Sequence, residues 1–368
     1  MTAAAMVPCP DQREKRLGWG MRRRELIVGL GAFPALGMEP RPWPATTLDG
    51  VGNAAFADPR HGRSDALLVL QDDETLLEQY GPGHTVTTRH VSWSVAKSAS
   101  HALVGAAVLH DRLDIDRPVS VIPDNADVTL RHLLTLTDGL PWDEARQPAA
   151  IASDASRLLF GVGRLDVAKF AASRSGARKT PGTTWNYSTG AYHLIAGELT
   201  ARLFPTVGDP SQRRRAMADW MRRRLFEPAG MGSAMFEFDP RGTFYAGSLM
   251  WATARDFARL GSLYLNDGVA GGLRVLPEGW VRFAREPTIE PTYGAGWWLE
   301  GAPGRRAGPA LLGGSPADAF HARGLDGQLI LVVPSRRLIV VRLGYTPDGV
   351  TGWPAIGGCL RRIITLVS

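Results

Sequence analysis

The sequence predicts an α+β fold: one antiparallel sheet built from both ends of the chain, flanked by helices, with a mainly helical region inserted. Three observations predict it. Residues 66–79 (ALLVLQDDETLLEQ) carry two apolar, strand-like runs around Asp72-Asp73, the pattern of a β-hairpin. Residues 329–343 (LILVVPSRRLIVVRL) carry a second hairpin with its turn at Pro334 to Arg337. Between them, apolar residues recur at helical spacing over 94–110, 130–136, 164–173, 191–203, 216–226 and 254–265. Strands near both termini and helices between them pack most economically as one sheet covered by helices. Residues 359–367 fit a closing helix, and Asp138-Gly139, Pro181-Gly182 and Asp267-Gly268 mark turns.

This pattern divides the chain into a leader over 1–45, a sheet-bearing domain from 46–115 with 236–368, and a helical domain over 116–235. Its 368 residues, 44% hydrophobic and 21% charged, suffice for a sizeable core. Residues 21–38 set a basic run before a short apolar stretch, the layout of a secretory signal, and the arginines resemble a twin-arginine signal. Export to the periplasm or medium is expected, with a cytoplasmic location as the alternative and either Met1 or Met21 as the start. The apolar stretch is too short to span a bilayer, so no stable membrane insertion is expected.

The net charge is +6, and almost all the basic charge is arginine; the lysines are Lys15, Lys97, Lys169 and Lys179. The arginines at 213–215 and 222–224 surround Met217, Trp220, Met221 and Leu225 at helical spacing, which reads as a solvated helix face. No nucleic-acid-binding module accompanies them, so a nucleic-acid partner is not expected. The two cysteines, Cys9 and Cys359, predict no disulfide framework. No H-E-x-x-H and no tight histidine spacing points to a metal, and no cofactor is expected.

The chemistry concentrates in three motifs. Ser94-Val95-Ala96-Lys97 opens the first long helix. Positions i and i+3 share a helix face, so the Lys97 amine can reach the Ser94 hydroxyl. A serine hydroxyl is a weak nucleophile until a base takes its proton. A capping serine followed by a surface lysine would give the same letters. The second motif, residues 180–190 (TPGTTWNYSTG), places Tyr187 at a loop-to-helix junction, where it can relay a proton or simply pack. The third, residues 320–328 (FHARGLDGQ), brings glycines to the entry of the second hairpin, where a backbone N–H can serve an oxyanion hole.

In this order the motifs resemble the class C β-lactamase, DD-peptidase and esterase superfamily, and within it the branch containing 6-aminohexanoate-dimer hydrolase and related carboxylesterases. Residues 113–119, 129–140, 247–268 and 274–280 extend the resemblance to roughly 50–365. The resemblance implies a β-lactamase/transpeptidase-like fold and acyl transfer. Ser94 matches the acylated serine, Lys97 its base and Tyr187 the tyrosine of Y-x-N. The backbone N–H groups of Ser94 and Gly324 match the oxyanion hole, and His321 matches the lysine of K-T-G. Two departures stand out: Thr189 replaces the asparagine of Y-x-N, and the K-T-G position reads His-Ala-Arg. His321 and Thr189 are candidate substrate-binding residues, and Trp142 and Trp185 candidate walls of an acyl pocket.

The expected function is therefore a serine hydrolase acting on a small ester or amide. A β-lactamase or DD-peptidase is the alternative within enzymes. A non-catalytic ligand-binding or sensor protein is the alternative outside them.

Overall fold

The computed structural model describes residues 46–122, 127–144, 153–174, 176, 178–301, 311–314, 316–346 and 349–367. The leader expected over 1–45 lies outside the described residues. The strands are β1 (Arg63–Gln71), β2 (Glu74–Tyr80), β3 (Arg89–Val91), β4 (Met235–Phe236), β5 (Met250–Thr253), β6 (Val269–Ala270), β7 (Leu273–Arg274), β8 (Trp298–Leu299), β9 (Phe320–Arg323), β10 (Leu329–Val333) and β11 (Leu338–Tyr345). The helices are α1 (Leu48–Ala57), α2 (Ala96–Asp111), α3 (Leu130–Leu134), α4 (Asp154–Leu159), α5 (Val167–Ala172), α6 (Thr189–Leu203), α7 (Pro210–Met221), α8 (Ala254–Leu265), α9 (Trp280–Arg285) and α10 (Gly349–Leu366).

Both expected hairpins form, and they join. The main sheet has the order β2-β1-β11-β10-β9-β8, so the two ends of the described chain meet where β1 pairs with β11, Leu68 opposite Val341. Asp72 and Asp73 both take positive φ, 50° and 64°, as a two-residue hairpin turn requires. The strands read as continuous apolar runs because both sheet faces are covered. Leu68, Ile330, Val332, Ile339 and Val341 face one core with residues of α2, α6 and α8. Leu67, Val69, Leu329, Leu331 and Val340 face a second core under α1 and α10. Each such side chain contributes about 1.5–3 kcal/mol by leaving water.

Helix α2 runs through the larger core and is buried on every side along most of its length. Its polar residues are satisfied internally. Ser98 donates to Gly296 O at 2.6 Å, Ser100 donates to Ala246 O at 2.8 Å, and His101 Nδ1 lies 2.6 Å from the Tyr264 hydroxyl. Burial pushes His101 down to about 3, so its ring is neutral. A Cβ on Gly105 would sit 2.4 Å from Trp280 Nε1, so only glycine lets α2 approach that ring.

Several boundaries differ from expectation: the closing helix expected over 359–367 begins at Gly349, and the one expected over 164–173 is Val167–Ala172 after a 3₁₀ turn. The helix expected from Ser94 begins at Ala96, because Trp93–Val95 forms a tight 3₁₀ turn with Trp93 at φ 43°. A bulky residue there is strained, and such strain persists only where the surroundings impose it. The helix expected over 216–226 begins at Pro210, capped by Asp209 accepting from Gln212 N at 2.8 Å, and widens into a π-turn at Arg222–Phe226. Its Met217, Trp220, Met221 and Leu225 are buried and Arg214, Arg215 and Arg222 to Arg224 exposed, as the spacing predicted.

Residues 136–139 carry the segment that ends at Tyr187. Asn186 N donates to Leu136 O (3.0 Å), Gly182 N to Thr137 O (2.7 Å) and Lys179 N to Gly139 O (2.9 Å). Gly139 has φ 72°, and a Cβ there would lie 2.2 Å from Lys179 O. Beside it, Asp138 is buried, its Oδ1 accepting from Leu140 N at 2.9 Å. Burial raises its carboxyl to about 6, against partial relief from that hydrogen bond. The folded value lies above the unfolded one, so stability falls as pH rises from about 4 through 6. Asp138→Asn keeps the acceptor and removes the buried charge. At pH 7.5 it should raise the unfolding free energy by about 2–3 kcal/mol. Urea unfolding at both pH values checks this: the difference should vanish near pH 4.

Candidate active site

Ser94 is half-buried and sits at the turn where β3 meets α2. Ser92 stitches that turn to the strand beside it: its N–H donates to Met250 O (2.8 Å), its hydroxyl to Ser248 O (3.1 Å), and it accepts from Met250 N (3.1 Å). One helical turn on, Lys97 is 1% exposed. Its Nζ donates to Ser94 Oγ at 3.0 Å, Thr189 Oγ1 at 3.0 Å and Gly247 O at 2.9 Å. All three hydrogen-bonding directions of Nζ are therefore occupied. The Tyr187 ring adds a face 4.9 Å from Nζ, and the Tyr192 ring one at 5.7 Å.

Tyr187 is fixed by aromatic neighbours. Its ring stacks on Trp298 (5.5 Å, 25°) and meets Tyr293 edge-on (6.1 Å, 88°), while Trp185 packs against all three. Ser188 caps α6, accepting from Ala191 N at 2.9 Å, so the residue after it, Thr189, begins the helix facing Lys97. The arrangement joins a half-buried serine hydroxyl, a buried amine in contact with it and an aromatic wall bearing a phenol.

The β-lactamase family profile matches residues 53–350. The chain belongs to the β-lactamase family. It is similar to the 6-aminohexanoate-dimer hydrolase of Paenarthrobacter ureafaciens, 24% identical over 315 residues that cover 77% of this chain and 73% of that protein. Among solved structures it resembles a family VIII carboxylesterase with a TM-score of 0.59, 16% identity, and coverage of 86% of this chain and 98% of that one. It also resembles a D-stereospecific amidohydrolase from Streptomyces sp., with a TM-score of 0.57, 16% identity, and coverage of 83% and 97%. The β-lactamase fold is thus shared with proteins named for both amide and ester hydrolysis.

Against this family background, the structure brings Ser94, Lys97, Tyr187 and Thr189 together. Two expected residues are placed differently. His321 is 1% exposed, and its Nε2 lies 3.0 Å from buried Glu300 Oε1. Burial, with the Arg323 guanidinium, pushes His321 down to about 4. The ring is then neutral and donates to Glu300. Burial alone would raise the Glu300 carboxyl, but hydrogen bonds from His321, Leu312 N and Gly314 N outweigh it and hold it below the usual range. His321 therefore braces Glu300 instead of presenting a charge to substrate. Gly324 N, expected as an oxyanion donor, donates to Gln328 O at 2.8 Å. Gly324 has a packing role: a Cβ there would lie 2.4 Å from Ser92 O and 3.2 Å from Trp93 Cβ.

Trp185 is buried in the aromatic cluster, and Trp142 is half-buried with its ring over Gly190, where a Cβ would meet it at 2.5 Å. Sequence reasoning missed Glu144 and the Gly247 carbonyl. Glu144 Oε1 accepts from the Thr189 hydroxyl at 2.5 Å, and Oε2 accepts from Thr189 N at 2.8 Å and Trp142 Nε1 at 2.5 Å. No spacing rule links residues 142, 144 and 189; only the fold does.

Away from this site, tertiary folding gathers Asp65, His84 and His90, whose ligand atoms lie within 4.8 Å of one another. Arg63 Nε already sits 2.7 Å from the Asp65 carboxylate and His84 Nε2 3.3 Å from it, so the carboxylate is balanced by side chains.

Proposed function

We propose that this chain is a serine hydrolase that cleaves an ester or linear amide through an acyl-enzyme on Ser94. The observation that carries this is the 3.0 Å contact between Lys97 Nζ and Ser94 Oγ, with the other two directions of Nζ taken by acceptors. In the neutral amine, two N–H groups serve those acceptors, and the lone pair is left facing the Ser94 hydroxyl. Ser94 Oγ attacks the carbonyl carbon as its proton passes to Lys97. The carbonyl electron pair moves onto oxygen, where the Ser94 N–H donates. Collapse expels the leaving group, which takes the proton from Lys97 by way of Tyr187. Water then cleaves the acyl-enzyme in the same sense.

Penicillin turnover is disfavoured, because Thr189 is engaged with Lys97 and Glu144 and His321 is buried. Short-chain p-nitrophenyl esters or a linear 6-aminohexanoate dimer should be turned over at least about 100-fold more efficiently than nitrocefin, a ratio worth about 3 kcal/mol in the transition state. Comparison of kcat/KM on the three substrates tests this. Nitrocefin as the best substrate would assign the chain to β-lactam hydrolysis. Binding of all three without turnover would favour a sensor. The basic-then-apolar run at 21–38 supports export, which cell fractionation tests.

A further inference from the structure

Glu144 is a feature of this site that the family resemblance did not supply. All three groups on its carboxylate are donors: the Thr189 hydroxyl, the Thr189 N–H and the Trp142 indole N–H. A carboxylate only accepts, so the one proton of the Thr189 hydroxyl is committed to it. Thr189 Oγ1 must then accept from Lys97. The Gly247 carbonyl can only accept as well. Two of the three directions around Nζ are therefore obliged to hold N–H groups.

We infer that Glu144 is a positioning residue: by fixing the Thr189 hydroxyl it sets the proton arrangement of Lys97 and keeps the amine lone pair on Ser94. This deepens the serine-hydrolase reading and rests on it. Glutamine at 144 would break the arrangement without changing shape. Its single oxygen is claimed by the two N–H donors of Thr189 and Trp142, since an amide NH₂ facing them would clash donor on donor. The NH₂ is then left facing Thr189 Oγ1. The hydroxyl accepts from it and releases its own proton toward Lys97 Nζ, where it competes with Ser94 for the lone pair. Trp142, predicted as a pocket wall, acts here through its N–H.

The test is the rate of Ser94 acylation by a p-nitrophenyl ester, measured as the pre-steady-state burst in the full chain. Wild type, Glu144→Gln, Thr189→Val and the double variant are compared, with thermal unfolding alongside. The inference expects Glu144→Gln to slow acylation by about 10–100-fold, as for loss of one oriented proton-transfer partner, with KM changed less than about 2-fold. It expects Thr189→Val to lose a similar factor and the double variant to lose no more than the worse single one, because both cut one chain of hydrogen bonds. Acylation in Glu144→Gln within 2-fold of wild type would overturn it. So would losses that multiply in the double variant, or a KM rise that accounts for the whole effect. Thr189→Ser, which keeps the hydroxyl, should retain most of the wild-type rate. If wild type itself shows no burst and no Ser94 adduct, the serine-hydrolase reading falls first and this inference with it, a result distinct from a normal wild type and an unaffected Glu144→Gln.

Discussion

Ester hydrolysis by Ser94→Ala should fall at least about 10⁴-fold, the scale on which nucleophile removal acts when several groups work as a unit. The side chain is half-buried, and its Oγ accepts from Lys97 at 3.0 Å. Its loss leaves the amine two protein acceptors and room for water at the third position. The fold does not depend on this hydroxyl: the turn is pinned by Ser92 and by α2, whose buried Ser98 and Ser100 are bonded elsewhere. Stability should therefore shift by less than about 1 kcal/mol. Initial rates with p-nitrophenyl acetate, alongside urea unfolding of both proteins, check both halves. Undiminished turnover in a folded Ser94→Ala would move the chemistry to another residue.

Lys97→Met should lower kcat by about 10³–10⁴-fold while KM stays within a few-fold, since the amine acts on the proton of Ser94 and not on bound substrate. Methionine has a similar length and fills the same core, so the loss reports the amine and not a cavity. The change also leaves Gly247 O and Thr189 Oγ1 without their donor. Unmet buried acceptors cost about 1–3 kcal/mol each, set against the burial of an apolar side chain in this core. A modest fall in stability is therefore expected, readable by urea unfolding. Retention of more than a tenth of wild-type kcat would mean that Tyr187 or water accepts the proton.

The parts legible in the sequence were those that depend on local pattern. Continuous apolar strands with a turn between them identify a hairpin wherever both faces are covered, and both hairpins formed. The Ser94–Lys97 spacing needs only a helical turn, and that pair is in contact. The parts that were not legible depend on phase or on tertiary approach. The direction of the Gly324 N–H depends on strand alternation, and a one-residue shift reverses every N–H along an edge. His321 lies on β9, where its ring meets Glu300, twenty-one residues earlier, a pairing that only the fold creates. Trp93 takes a positive φ that nothing in its side chain favours; the bonds of Ser92 and the approach of Gly324 impose it. Glu144 meets Thr189 across forty-five residues. The capped start of α7 at Asp209-Pro210 was available as a signal, and the apolar periodicity further on drew the boundary away from it.

The account stands or falls on a covalent bond to Ser94. Wild type and Ser94→Ala would be quenched in acid during turnover of a slow p-nitrophenyl ester, then digested and analysed by mass spectrometry. The account predicts one acyl increment per wild-type chain, on the peptide that contains Ser94, and none on Ser94→Ala. Turnover with no increment on wild type, or an increment that persists in Ser94→Ala, would contradict it.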